Sequence, residues 1–207
     1  MNPFGIIEEF EKAICDYTGA PYCVSTNSCT NALFLSLMWH KQWLVDEGIF
    51  FLENDHFIII PKRTYVSVPM QIKHAGFKIG FHDRDWDGGY RLEPTPIWDY
   101  ARRFRGGMHH PSTVQCVSFH WTKPLGIQHG GAIIHDNHRA DEWLRRARFD
   151  GRLSGEAAGE AKMIGWHCLT TPEVAAAGLV RIANLPYDNP DSPKPDYPDL
   201  SQMDIFK

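Results

Sequence analysis

Short apolar runs alternating with segments of helical period constrain this chain more than any other feature. Residues 57–60 are a continuous apolar, β-branched run, the pattern of a strand buried on both faces. Residues 22–25, 77–81, 96–98, 114–119 and 131–135 read as further short strands. Between them, Phe4, Ile7, Phe10, Ile14 and Tyr17 recur at helical spacing and Gly19 closes the segment. Ser28 predicts an N-cap for a helix over 31–45, residues 65–74 a helix ended by Gly76, and residues 139–149 a charged amphipathic helix. Pro172 opens a last helix to about Ile182, because proline suits the first helical turn. Strands alternating with helices predict an α/β protein whose sheet is mostly parallel and flanked by helices.

Two segments break the alternation. Residues 151–161, rich in Gly, Ala and Glu, read as a mobile loop. Residues 186–207 hold five prolines and five aspartates and read as an extended or partly disordered tail. The expected organisation is one domain over 1–185 with a Pro/Asp-rich appendage over 186–207.

A length of 207 residues at 43% hydrophobic suffices for one sizeable core. The net charge of −4, with no basic run, argues against nucleic acid or an acidic membrane as partner. The five cysteines are scattered and form no CxxC pair, which disfavours a disulfide framework or a zinc site. The histidines likewise lack a ligand spacing, so no metal is expected. The opening Met1-Asn2-Pro3-Phe4 has neither a basic region nor a long apolar one, and no apolar run is long enough to span a bilayer. These features predict a globular protein of the cytoplasm.

Four places carry chemistry. Lys123 follows the strand of Val117 and Ser118, where burial can strip an amine of its charge and a neutral amine can form a Schiff base. Asp99 ends a short apolar run, at the carboxyl end of a predicted strand, where open α/β sheets bind ligands. Tyr65 stands at the start of a helix after a buried strand. Ser28, Cys29 and Thr30 open another helix, offering hydroxyls, free N–H groups and the helix dipole to an anion. Each also has an ordinary reading: a surface lysine, a turn aspartate, a core aromatic, a well-capped helix. Together they meet the four demands of pyridoxal 5′-phosphate: a lysine for the aldehyde, an acid for the pyridine nitrogen, an aromatic over the ring, and phosphate donors. Ser118 could add a further hydroxyl.

The order of these pieces resembles the DegT/DnrJ/EryC1/StrS family of sugar aminotransferases. Asn27-Ser28-Cys29-Thr30-Asn31-Ala32-Leu33 is similar to the family's N-S-G-T-x-A-L phosphate motif. Thr64-Tyr65-Val66-Ser67 resembles the segment that carries its stacking aromatic, and Trp98-Asp99-Tyr100-Ala101 its E-D-A-A motif. Ser118 to Lys123 matches S-F-x-x-x-K, Gly130-Gly131-Ala132 matches the end of G-E-G-G-a, and Gly165-Trp166-His167 is similar to G-[YF]-N. The resemblance spans roughly residues 5–185. It implies the large domain of fold-type I aminotransferases, reduced in size, and a homodimer with shared active sites. It also implies transfer of an amino group from an amino acid, glutamate above all, to a keto-sugar that is typically nucleotide-linked.

The sequence departs from the pattern in ways that bear on function. The family's C-terminal small domain is absent, and only eight residues separate Tyr90 from Asp99, where relatives add a strand and a helix. Arg102 stands where the family places Gln or His near the cofactor's phenolic oxygen. His167 replaces an Asn that in relatives reaches the partner subunit's phosphate, and His129 replaces a Glu. The family's dehydratase branch carries His at the lysine position, so Lys123 points to amino transfer. Other readings are a reduced relative that binds pyridoxal phosphate, or nothing, and acts in assembly or regulation, or a different reaction of the same cofactor.

Overall fold

A computed structural model describes residues 4–49 and 56–207. Met1 to Pro3, the opening of the stretch read for signal-peptide features, lie outside it.

The first helix, α1 (Gly5–Thr18), packs Ile7, Phe10 and Ile14 inward and stops at Gly19, whose φ of 76° is the left-handed conformation of a helix C-cap. It is followed by β1 (Tyr22–Thr26), α2 (Cys29–Asp46), β2 (Phe57–Pro61), α3 (Ser67–His74) and β3 (Lys78–His82). Then come β4 (Tyr90–Arg91), β5 (Ile97–Tyr100), β6 (Val114–Ser118), β7 (Gly131–His135), α4 (His138–Ala147) and α5 (Pro172–Ile182). Ser28, Asn137 and Thr171 cap α2, α4 and α5 by accepting the N–H of Asn31, Ala140 and Val174.

Five strands form one sheet in the order β1-β7-β6-β5-β4. Its faces are filled by alternation. Val24, Cys116 and Ile133 point to the core shared with α2, α3 and α4; Cys23, Val117, Ala132 and Ile134 point to the core shared with α1 and α5. Every residue of β6 and β7 is buried, so these are the central strands of a three-layer α/β fold.

The sheet is mixed, which corrects the expectation of a mostly parallel one. β5 and β6 run parallel, whereas β1–β7, β6–β7 and β4–β5 are antiparallel. β6 and β7 are joined by the short connection 119–130, with no helix between them, so the second strand returns antiparallel. β2 and β3 form a separate parallel pair, tied to the main sheet's edge by the bridge of Ile59 with Glu93. β2 is therefore not buried on both faces: Ile58 and Ile60 are covered, while Phe57 and Ile59 are 54% and 36% exposed.

A buried ion cluster fastens α1 to α4. The Glu11 carboxylate accepts from the Ser25 N–H at 2.9 Å, the Ser25 hydroxyl at 2.7 Å and Arg145 at 2.6 Å, and pairs closely with Arg148. Burial would raise the Glu11 pKa, yet Arg148 and Arg145 hold it below the ordinary value.

Residues 186–207 contain no α-helix or strand, but they are docked along the molecule instead of hanging free as a disordered tail would. The Tyr17 hydroxyl donates to the Pro186 carbonyl at 2.7 Å, and Asp191 pairs with Arg103 and Arg105. Leu200 is fully buried, and Phe206 packs edge-on against Phe81. Prolines deny the segment ladder bonds of its own, so side-chain anchors hold it.

Candidate active site

The parallel pair β5–β6 ends at a common edge, and the candidate residues collect there. Asp99 pairs in register with Tyr90 of β4 and Cys116 of β6. Its carboxylate is 4% exposed and accepts from the Ala101 N–H and the Tyr90 hydroxyl, each at 2.9 Å. Thr64 holds the Tyr90 hydroxyl from the other side at 2.6 Å. Burial raises the Asp99 pKa, against the pull of these bonds and of the charges on Lys123 and Arg102.

Lys123 lies in the β6–β7 connection, which is pinned at its base by the Phe119 N–H donating to the Gly130 carbonyl. A tight turn, in which the Lys123 N–H donates to the His120 carbonyl at 2.8 Å, aims the side chain back over the strand ends. The amine is half-buried among Arg102, Asp99 and Cys29. Burial lowers its pKa, Arg102 lowers it further, and Asp99 and Cys29 oppose them. Ser118 closes β6, and its buried hydroxyl accepts weakly, at 3.4 Å, from the His120 N–H.

The N-terminus of α2 faces the same edge. Ser28 caps Asn31 at 3.1 Å, and the Thr30 hydroxyl meets that of Ser67, at the start of α3, at 3.1 Å. The first N–H groups of an α-helix have no partner within it, so those of Cys29 and Thr30 remain donors for an outside acceptor. β7 crosses so close that a Cβ on Gly131 would stand 2.4 Å from the Cys29 nitrogen. Cys29 itself is buried, and burial and the Asp99 charge push its thiol well above the ordinary value.

The remaining candidates are placed differently. Tyr65 precedes α3 instead of opening it, in a turn where its carbonyl accepts from Val68, and its ring is 57% exposed. Arg102 is 5% exposed and belongs to the tail as much as to the site: its Nε donates to the Ser192 carbonyl at 2.9 Å, and Ser192 N–H returns a 2.9 Å bond to the Arg102 carbonyl. His167 is exposed and bonded to Asp150 at 2.8 Å, with its ring beside Phe149, apart from the contacts that join the others.

The structure adds Tyr90, Thr64, Ser67 and Tyr197 to the set. Thr64 and Ser67 lie within the Tyr65 motif, but Tyr90 and Tyr197 carry no local signal; only strand register and the docked tail bring them in.

Comparison with known proteins bears on the fold and on the first part of the chain. Residues 5–96 match the DegT/DnrJ/EryC1/StrS aminotransferase family. The matched span holds α1, β1, the α2 N-terminus and the Tyr65 turn, while Asp99 and Lys123 lie beyond it. Among solved structures, a DegT DnrJ EryC1 StrS aminotransferase from Brucella abortus superposes with a TM-score of 0.65 at 21% identity, over 86% of this chain and 58% of its own. Helicobacter pylori PseC, an aminotransferase of pseudoaminic acid biosynthesis, gives 0.68 at 17% identity over 86% and 57%. Bacillus subtilis NtdA with bound PMP gives 0.66 at 18% over 87% and 48%. The chain spans less than two thirds of each. The fold is that of the large domain of fold-type I aminotransferases. None of the curated proteins matches the chain in sequence.

Proposed function

We propose that this chain binds pyridoxal 5′-phosphate and is an aminotransferase moving an amino group from an amino acid, glutamate by family resemblance, to a keto-sugar, typically nucleotide-linked. The observation that carries the reading is the meeting of Lys123, Asp99 and the α2 N-terminus at one strand edge, with burial and Arg102 both depressing the proton affinity of Lys123.

The donor set fits the cofactor. Asp99 is a buried carboxylate whose two bonds come from the neutral donors Tyr90 and Ala101, and a protonated pyridine nitrogen would give it a cationic partner. Ser28, Thr30 and the N–H groups that open α2 suit a phosphate. Tyr65 would cover the ring face, Ser118 would add a hydroxyl, and Arg102 would meet the phenolic oxygen. When bound, the cofactor supplies an aldehyde for an amine and a ring that draws electrons from the reacting carbon.

The chain's residues then divide the work. Lys123 Nζ, whose surroundings favour its neutral form, would hold the cofactor's aldehyde carbon with loss of water, and as a free amine it would be placed to take and return a proton at the reacting carbon. Asp99, fixed by Tyr90 and Ala101, would hold the proton of the pyridine nitrogen. The protein works as a homodimer, with His167 near the partner's site.

A second reading, a relative that binds the cofactor without turnover, draws on the openness of the site. Tyr65 and Trp121 are 57% and 70% exposed, and the cavities of about 850 and 550 Å³ beside Glu11 and Trp39 are lined by none of the Lys123 group. The visible spectrum with added pyridoxal phosphate tests both. A band removed by borohydride and absent in Lys123→Ala supports cofactor attachment, and amino donors and keto-sugars then separate turnover from binding alone. No band at saturating cofactor refutes the aminotransferase reading and leaves a relative of the fold that does not bind the cofactor.

A further inference from the structure

The docked tail does not follow an arbitrary course; its anchors are the walls of the Lys123 site. Asp191 accepts two-pronged bonds from Arg103, at 2.6 and 3.0 Å, and another from Arg105 at 2.8 Å. Ser192 exchanges bonds with Arg102 on both backbone and side chain. Tyr197 then stacks on Trp86 at 6.2 Å between centroids and 19° between planes, and Trp86 packs edge-on against Tyr90, the partner of Asp99. Asp199 pairs with Lys62 at 3.1 Å, and Leu200 N–H donates to the Lys62 carbonyl, just ahead of the Tyr65 turn. Burial raises the Tyr197 pKa, and Arg102 draws it back.

We propose that residues 191–200 complete the Lys123 site within the same chain, with the Ser192 carbonyl, fixed between the Asp191 and Tyr197 anchors, positioning the Arg102 guanidinium beside Lys123. The proposal rests on the cofactor reading above for its purpose, but its physical content is a property of the protein alone. A fixed cation beside Lys123 disfavours its charged form and keeps the amine nucleophilic. The ionisable groups around Lys123 are Arg102 and Asp99 from the end of β5, Cys29 from α2 and His120 from its own loop. Of these, Arg102 is the one the tail holds by direct bonds.

The test compares this chain with Tyr197→Ala, which removes the ring from Trp86, and with Asp191→Asn, which loosens the other anchor. The first readout needs no cofactor: the pH midpoint for reductive methylation of Lys123 by formaldehyde, followed by mass spectrometry. The second is pyridoxal phosphate capture, read as the borohydride-sensitive band against pH. Both variants are expected to move the methylation midpoint to higher pH and to weaken capture by about tenfold, the scale of one hydrogen bond to a charged group. Unchanged midpoints, or tighter capture, would overturn the proposal, the latter by making the tail a competitor for the site. A wild-type chain that shows no band but a Tyr197-dependent midpoint would refute the cofactor reading and leave the positioning role standing.

Discussion

At the residue scale, Asp99 sets function against stability. Its folded-state pKa is raised, chiefly by burial, so the ionised form is disfavoured in the fold. A carboxyl raised in this way favours the native state when protonated, and stability falls as pH rises above the unfolded value of about 4. Asp99→Asn keeps the size of the side chain and its bond to Ala101 without the buried charge. It is expected to unfold at the same or higher temperature than wild type at pH 7 while losing pyridoxal phosphate capture; calorimetry and the visible spectrum measure the two. Tyr90→Phe removes one hydrogen bond from Asp99 and leaves Thr64 unpaired. The expected cost is about 1–3 kcal/mol in denaturant unfolding, with weaker cofactor capture, because a buried donor loses its partner.

At the element scale, two junctions carry the load. Glu11 ties α1 to β1 and α4, and its depressed pKa has the opposite sign from that of Asp99. Its contribution is present above the unfolded pKa near 4.5 and lost as pH falls through the lower folded value. Glu11→Ala is expected to cost about 3–5 kcal/mol at neutral pH, since it takes the carboxylate partner from the buried Arg148 guanidinium, and to flatten the acid limb of the stability curve. The second junction is the crossing of β7 with the start of α2. Gly131→Ala would push a methyl against the Cys29 nitrogen, displacing the helix end offered to the phosphate. Pyridoxal phosphate affinity should fall more than affinity for pyridoxal, which lacks the phosphate, and equal losses would refute that role for the α2 terminus.

At the scale of the whole molecule, the sequence and the structure account for different things. Helices and strands were legible because their signals are local: apolar period, the Ser28 cap, Gly19, Pro172 at a first turn. Lys123, Asp99 and the Ser28–Thr30 run were legible as a group because they stand in the order of a known family, and the fold brings them to one strand edge. The sense of the strands was not legible, because it depends on whether a connection carries a crossover helix, and the 119–130 connection does not. Nor was the half-exposed β2: an apolar run reports the preference of its side chains, whereas burial needs neighbours that the described residues do not place over Phe57 and Ile59.

The sequence by itself determined the elements and the residue types that one cofactor would need, since each follows from neighbours a few positions apart along the chain. Tertiary structure alone decided that the apolar residues divide into two cores, that Tyr90 grips Asp99, that Arg148 and Arg145 converge on Glu11, and that a proline-rich segment without α-helix or strand docks with Tyr197 against Trp86. Those contacts join residues as far apart as 137 positions, as between Glu11 and Arg148. No local preference encodes them; they arise from the strand register and from the burial that makes each unpaired charge or hydroxyl costly.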